Sequence, residues 1–340
     1  MKAARFPRER RAAQTLFIDE VSGQVEVGSP KDIGRWLRPG DLLVLNDAAT
    51  MPASLAGHTE AGDPVEVRLA GRLEHTWWAA LLGAGDWRTP TEQRPAPPSV
   101  QAGQRLLFGD GLSARVHRVS PPDGRRLELA FDQDEATFWA AIYTVGRPIQ
   151  YGYQTDDLPL MAMQTPLAQR PVAVEMPSAA WALTSQAQKN LQRCGVEIAW
   201  LTHASGLSSI GDATHDRSLP WPERYAIPSK TIAAIERARA REGRVIAAGT
   251  SVVRALEASI DDWTSRDAVE GVTHLTLHPG YRRRVVDGLL TNVHEKGESH
   301  YELLRAFAKT ETLERMNHAV QDLGFVNHEH GDTVLLVAPR

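Results

Sequence analysis

The sequence is marked first by what it lacks. One cysteine, Cys194, among 340 residues excludes an intramolecular disulfide framework and any thiolate metal cluster. No run of 18 or more apolar residues occurs, which excludes a membrane-spanning helix. The basic opening segment, residues 1–14, has no apolar stretch and so does not read as a secretory signal. Neither sign of charge dominates: 38 basic and 42 acidic residues leave a formal net charge of -4, and no basic field announces a nucleic-acid binder. A Walker loop, H-E-x-x-H and G-x-S-x-G are all missing. What is present, 42% hydrophobic residues with 26 Gly and 21 Pro, is ordinary for a soluble, cytoplasmic protein of about two domains.

The texture changes twice along the chain. Residues 15–19 and 24–27 alternate as two strands around a turn, and 31–37 reads as a short helix that Pro39 and Gly40 terminate. The segment 41–47 holds four consecutive apolar residues before Asn46 and Asp47, the pattern of a strand buried on both faces. From about 54 to 143 short alternating runs are separated by Gly, Pro and Asp-Gly turns, which predicts a small antiparallel barrel. The Pro-rich 94–98 stretch reads as an exposed loop. After Pro159 strands alternate with helices (helix 185–194, strand 196–201, helix 230–242, strand 244–248, helix 252–259), which is βαβ texture. The expected fold is therefore α/β: a domain with a mostly parallel sheet, residues 1–53 plus 146–340, interrupted by an inserted antiparallel β-barrel at 54–145.

Several segments carry chemistry. In 244–257 a strand ends at Gly249, Thr250 or Ser251 can cap a helix, and Arg254 falls in its first turn. Bare N–H groups there attract anions, and the guanidinium can fork onto a carboxylate or phosphate. The plainer reading is a crossover helix with an Arg254–Glu257 surface pair. In 278–294 a Pro279-Gly280 turn precedes Arg282, Arg283 and Arg284, a patch that suits either a phosphate backbone or a solvated strand edge. Thr291, Asn292 and His294 follow an apolar pair, and His294 can serve as a general base or as a structural histidine. Gly109-Asp110-Gly111 fits a dinucleotide pattern but precedes strand-like alternation, so it reads as a hairpin turn. His328 and His330, at alternate strand-like positions, lack a clear third metal ligand.

Together these segments resemble one family, the S-adenosylmethionine:tRNA ribosyltransferase-isomerases of queuosine biosynthesis. The resemblance lies in 37–47, in 51–57, in 195–203 (Gly195 to His203), in 249–257 and in 279–292, in family order over nearly the whole chain. It implies S-adenosylmethionine as substrate, with no further cofactor and no metal, and an α/β fold interrupted by a barrel. The family moves the ribosyl moiety onto the amine of a 7-aminomethyl-7-deazaguanine in tRNA and releases adenine and methionine. The sulfonium makes the C5′ protons acidic, so such a site needs a base, hydrogen bonds for adenine and ribose, a methionine clamp and an anion-friendly groove. Carried onto this sequence, the resemblance points to His294, His203 and Asp47 as candidate catalytic groups. Asn46, Thr165 (in Met163-Gln164-Thr165), Glu223, Thr250, Ser251, Arg254, Asp287, Thr291 and Asn292 are candidates for holding S-adenosylmethionine or the acceptor. Arg282, Arg283 and Arg284 are candidate nucleic-acid contacts, and no membrane partner is implied.

The chain departs from the family in places. The family's Pro-Thr-Ala-Gly-Leu-His-Phe-Thr stands here as 176–184, with Trp181 and without the Gly and the His. Its His-x-Met-His-Ser-Glu becomes 217–223, where only Glu223 survives, and its Asn-Phe-His-Leu-Pro-Lys-Ser-Thr becomes 292–299, adding Glu295 and Glu298. The usual leader ahead of the first strand is missing. Trp181 and Trp221 in place of histidines favour a smaller, more apolar acceptor pocket. Two other readings therefore stand beside the family activity: a divergent paralogue that uses S-adenosylmethionine on a small-molecule acceptor or cleaves it, and a catalytically silent nucleoside- or RNA-binding protein.

Overall fold

The computed structural model describes residues 2–121, 123–263, 267–296 and 299–338. A nine-stranded sheet runs in the order Val269–Thr273, Glu223–Ile227, Glu197–His203, Leu42–Asn46, Val245–Ala248, Gly288–Asn292, Thr333–Val337, Thr15–Asp19, Val25–Gly28. Its four central strands, from Glu197–His203 to Gly288–Asn292, are parallel to one another. Parallel pairing recurs only between Thr333–Val337 and Thr15–Asp19, so the expectation of a mostly parallel sheet holds for the centre and not for the flanks.

Why Leu42–Asn46 sits at the centre is visible in its side chains. Leu42 and Val44 pack with Ile232, Ile235 and Val252 on one face; Leu43 and Leu45 pack with Leu183, Ala187 and Leu191 on the other. A strand covered by helices on both sides is apolar where they cover it, here Leu42 to Leu45, and its one polar residue, Asn46, comes at its carboxyl end. The covering helices are Ser229–Ala240 and Thr250–Ser259 on the first face and Ser185–Arg193 on the second. The last is capped by Thr184, whose hydroxyl accepts from the Ala187 amide at 3.3 Å.

The middle of the chain closes into a six-stranded antiparallel barrel, in the order Leu112–Ser120, Arg126–Phe131, Trp77–Leu82, Pro64–Arg72, Ser54–Thr59, Arg105–Gly109. Closure leaves no unpaired edge. Helix Glu135–Val145, capped by Asp134, plugs the barrel with Phe138, 4.7 Å from Phe131 and 5.6 Å from Trp77. The turn at Gly109-Asp110-Gly111 has φ of 85°, 48° and 74°, left-handed backbone that glycine and aspartate tolerate, so the dinucleotide pattern is a hairpin.

Local readings changed in four places. Residues Pro30–Arg35 form a 3-10 turn rather than an α-helix. Thr250 is the first residue of its helix, and the capping position belongs to Gly249, which has no side chain to offer. His328 lies in a turn after the short Val326–Asn327 strand, so the alternate-strand reading of His328 and His330 fails. Arg94, within the Pro-rich stretch, points inward and pairs with Glu66 beside Arg68 in the barrel wall.

Candidate active site

Parallel strands place ligands at their carboxyl ends, where the loops diverge. Here Asn46, His203, Gly249 and Asn292 end the four central strands, and a cavity of about 750 Å³ opens beyond them. The barrel-side loops close it from above through Tyr151, Tyr153 and residues 205–209.

The floor is a chain of buried polar groups. Asn46 is almost fully buried and does not itself line the cavity; its amide nitrogen donates to the His203 carbonyl at 2.9 Å, and its oxygen accepts from the His203 amide at 3.0 Å. That two-bond clamp fixes the His203 backbone, and the same nitrogen reaches Ser251 Oγ at 3.5 Å. The imidazole of His203 is fully buried, yet neither ring nitrogen has a hydrogen-bond partner. Its Nε2 lies 3.4 Å from the Glu223 carboxylate. Burial, reinforced by the Arg254 charge, pulls the imidazole down to about 3, so it is neutral at physiological pH.

Arg254 is ion-paired with Glu223, whose other oxygen accepts from the Gly206 amide at 2.5 Å. Its Nε donates to the Leu275 carbonyl at 2.8 Å, while Nη2 is buried without a partner. Burial lowers the guanidinium to about 10, still charged near neutrality. An Arg254–Glu257 surface pair does not exist: Glu257 is buried and accepts from the amides of Arg284, Val285 and Val286 at 2.8–3.0 Å. The first turn of Thr250–Ser259 faces the cavity with Thr250 and Ser251, and Gly249 at φ 102° leaves it without a side-chain cap. Such an open N-terminus favours an anion or a ligand carbonyl.

On the next strand Asn292 accepts from Ser178 Oγ at 2.8 Å and donates to the His328 carbonyl at 3.2 Å. Thr291 Oγ1 and His294 Nε2 are 3.0 Å apart, and the His294 ring stacks on His300 at 5.0 Å. His294, His203, Glu223, Thr250, Ser251, Arg254, Thr291 and Asn292 thus share one cavity.

The remaining candidates lie elsewhere. Asp47 follows Asn46 but turns to the opposite face, where it takes the Thr202 hydroxyl at 2.5 Å and stands 3.9 Å from Arg170. Thr165 accepts from the Leu167 amide at 3.2 Å in a local turn, and neighbouring Gln164 clamps the backbone of Thr50. Asp287 sits five residues before Asn292, about 16 Å away along the strand, and accepts from the Val245 amide at 2.8 Å. Of the three arginines, Arg283 turns inward to the Ala306 and Val286 carbonyls and over Phe307. Arg284 binds Asp261 in a bidentate pair, and only Arg282 and Arg284 are exposed. They occupy a loop before Gly288–Asn292 rather than a strand edge.

Trp181 and Trp221 do not line the cavity. Trp181 is buried against His330 and Arg10, and Trp221 joins the barrel core with Arg126 over its ring, which removes the case for a smaller apolar acceptor pocket. His330 Nε2 bonds the Ala162 carbonyl at 3.0 Å while His328 stacks on Tyr153, so the two do not converge. Among the described residues no group of three His, Cys, Asp or Glu is placed to hold a metal ion. Glu295 takes the Asn327 amide at 3.1 Å; Glu298 lies outside the described residues. Sequence reasoning missed the opposite wall of the cavity, formed by Tyr151, Tyr153, Glu175 and Glu329. One signal was there: Glu175 is a lone carboxylate in an otherwise apolar run, 171–177.

Fold and site together define an α/β protein with an inserted barrel, whose ligand crevice lies at the carboxyl ends of a parallel sheet centre. A family profile described as queuosine biosynthesis protein matches residues 1–336. The S-adenosylmethionine:tRNA ribosyltransferase-isomerase of Syntrophotalea carbinolica is 33% identical over 340 residues, covering 97% of this chain and 94% of that protein. The enzyme of the same name from Thermus thermophilus is 34% identical over 318 residues, covering 90% and 87%. The crystal structure of S-adenosylmethionine tRNA ribosyltransferase from Thermotoga maritima has the same fold, with a TM-score of 0.53, 23% identity and coverage of 98% and 96%. The chain belongs to the queuosine biosynthesis protein family.

Proposed function

We propose that this chain is a transferase-isomerase that moves the ribosyl moiety of S-adenosylmethionine onto the aminomethyl group of a 7-deazaguanine in tRNA, with release of adenine and methionine. The observation that carries the reading, in a chain of this family, is a set of buried polar atoms without hydrogen-bond partners in residues that line one cavity: both ring nitrogens of His203 and Nη2 of Arg254. Buried polar groups are ordinarily satisfied, so groups left open in a cavity are reserved for a ligand. No observation favours the paralogue or the silent binder, since the tryptophans that suggested a smaller pocket face away from it.

The roles divide by electrostatics. An imidazole pulled down to about 3 resists taking a proton, which makes His203 a poor base and a good uncharged hydrogen-bond partner for adenine or ribose. His294, beside the Thr291 hydroxyl on the same cavity, is the better candidate to remove the C5′ proton. Arg254 and the open turn at Thr250 and Ser251 suit the methionine carboxylate. Asn46 and Asn292 act as positioning residues, the first through His203 and the second through Ser178 and the His328 carbonyl. Asp47, Thr165 and Asp287 are structural in this scheme. Exposed Arg282 offers a contact for the tRNA backbone. We read the chain as a discontinuous α/β domain, 1–53 plus 146–340, around a 54–145 barrel domain, and as cytoplasmic; no helix among the described residues is long and apolar enough to cross a membrane.

The deciding experiment incubates purified protein with S-adenosylmethionine and measures adenine and methionine, with and without tRNA carrying the 7-aminomethyl base. Release that depends on the modified tRNA is expected. Release without it would replace transfer by cleavage, and no release at all would overturn the activity.

A further inference from the structure

The wall facing His203 and Arg254 is built on two tyrosines. Their rings stack, 6.1 Å apart with planes 16° from parallel, and each hydroxyl holds a carboxylate. Tyr151 donates to Glu175 Oε1, which also accepts from the Ser208 amide at 3.0 Å. Tyr153 donates to Glu329 Oε2, and its ring lies 4.0 Å from His328. Glu175 is thus held by Tyr151 and Ser208 and Glu329 by Tyr153, and both residues line the cavity.

The fixed cation packed on this wall is shared with another carboxylate. Arg68, whose guanidinium stands 5.5 Å over the Tyr151 ring, is already paired with Glu66 at 2.7 Å. Asp216, also on the cavity, accepts from Ser209 and the Ile210 amide, and Arg217 is exposed beside it. The same cavity is lined by Arg254, paired with Glu223, by a helix N-terminus with no side-chain cap, and by fully buried, uncharged His203. A cavity lined by an uncapped helix N-terminus and by two tyrosine-anchored carboxylates suits a ligand with an anionic or neutral polar end and a cationic end.

We propose that Glu175 and Glu329, oriented by Tyr151 and Tyr153, form a receptor for a primary ammonium group of a substrate. The proposal rests on the activity inferred above, where two ammonium groups occur: the α-ammonium of S-adenosylmethionine and the aminomethyl group of the acceptor base. Both are N⁺–H donors that two carboxylate oxygens can share. The state of the empty wall agrees: burial, with the nearby Glu329 charge adding, pushes the Glu175 carboxyl up to about 7, and a seated cation reverses that shift.

The test compares wild type with Glu175→Gln and with the double variant Glu175→Gln/Glu329→Gln, which keep shape and remove charge; a thermal melt verifies folding. One arm measures the dissociation constant of S-adenosylmethionine by equilibrium dialysis, and the other compares tRNA bearing the 7-aminomethyl base with tRNA bearing an unmodified base. Weakening of S-adenosylmethionine by about tenfold assigns the receptor to the α-ammonium; loss of the preference for the aminomethyl base assigns it to the acceptor. Tyr151→Phe, which removes an anchor and no charge, is expected to give a smaller loss in the same arm. A simple primary alkylamine needs neither substrate, so its stabilisation of the wild-type fold, absent in the double variant, tests the receptor even if wild type releases no adenine. Unchanged affinities together with unchanged amine response overturn the proposal.

Discussion

The two ends of the parallel sheet hold similar residues in opposite states. At the amino ends Asp41 takes the Arg38 and Arg244 amides at 2.7 and 2.8 Å and the Arg244 guanidinium at 2.6 Å, while Asp287 takes the Val245 amide at 2.8 Å. Each of those carboxylates ties one strand to the next. At the carboxyl ends Asn46 is equally well bonded, but it holds His203, whose ring nitrogens, like Nη2 of Arg254, make no hydrogen bond within the protein. Satisfied polar groups stabilise the sheet, and open ones mark where a ligand completes the network. Which end of a strand a residue occupies therefore decides its role more than its chemical type.

If that contrast is right, substitutions at the two ends separate activity from stability. The largest effect falls at the carboxyl end: Arg254→Ala should lower adenine release by at least about 100-fold, the range for removing a preorganised charged donor. It also strands Glu223, so stability should drop by about 3 kcal/mol or more in chemical denaturation. At the amino end Asp41→Ala should cost about 3 kcal/mol for a broken buried pair and two stranded amides, with adenine release per folded molecule unchanged. A large fall in turnover from Asp41→Ala at a temperature where it stays folded would erase the contrast.

Much of this was legible from the sequence, for reasons that differ by element. The apolar run at 42–45 had to be a doubly covered strand, and the 112–131 alternation had to pair as hairpins, because side-chain period fixes both. Asn46, His203 and Asn292, the last residues of such strands, became site candidates through the family resemblance, not through period. Asp287, another candidate drawn from the resemblance, immediately precedes the strand that Asn292 ends, and the strand direction puts the two at opposite ends. The tyrosine wall was not readable: Tyr151, Glu175 and Glu329 lie far apart in the chain and meet only through the way loops fold over the sheet. Trp181 and Trp221 illustrate the converse, since replacing histidine at a position says nothing about which way the new side chain turns.

The contrast between the cavity's two walls makes a pH prediction. His203 is held at about 3 in the fold against 6.5 unfolded, so below pH 6.5 the unfolded chain takes a proton the fold refuses, and stability falls as pH drops. Glu175 is held at about 7 against 4.5 unfolded, so between those values the fold keeps a proton the unfolded chain has lost, and stability falls as pH rises. From pH 4.5 to 6.5 the two slopes, each about 1 kcal/mol per pH unit, oppose one another. Relative to wild type, Glu175→Gln should gain stability with rising pH over this window and His203→Gln should lose it. Denaturation curves at pH 4.5, 5.5 and 6.5 decide; parallel profiles for all three proteins would remove both shifts.

The smallest expected effect is the sharpest check on the rule of position. Asp47 stands at the carboxyl end, one residue beyond Asn46, yet strand alternation turns it off the cavity toward the Thr202 hydroxyl at 2.5 Å. Face as well as end should then matter. Asp47→Asn keeps a hydrogen-bond acceptor for Thr202 and gives up only a weak attraction to exposed Arg170 at 3.9 Å. Stability should change by no more than about 1 kcal/mol and adenine release by no more than about twofold. A tenfold or larger loss of turnover with an unchanged melting temperature would make Asp47 a catalytic residue, and would mean that the end of the strand outweighs the face.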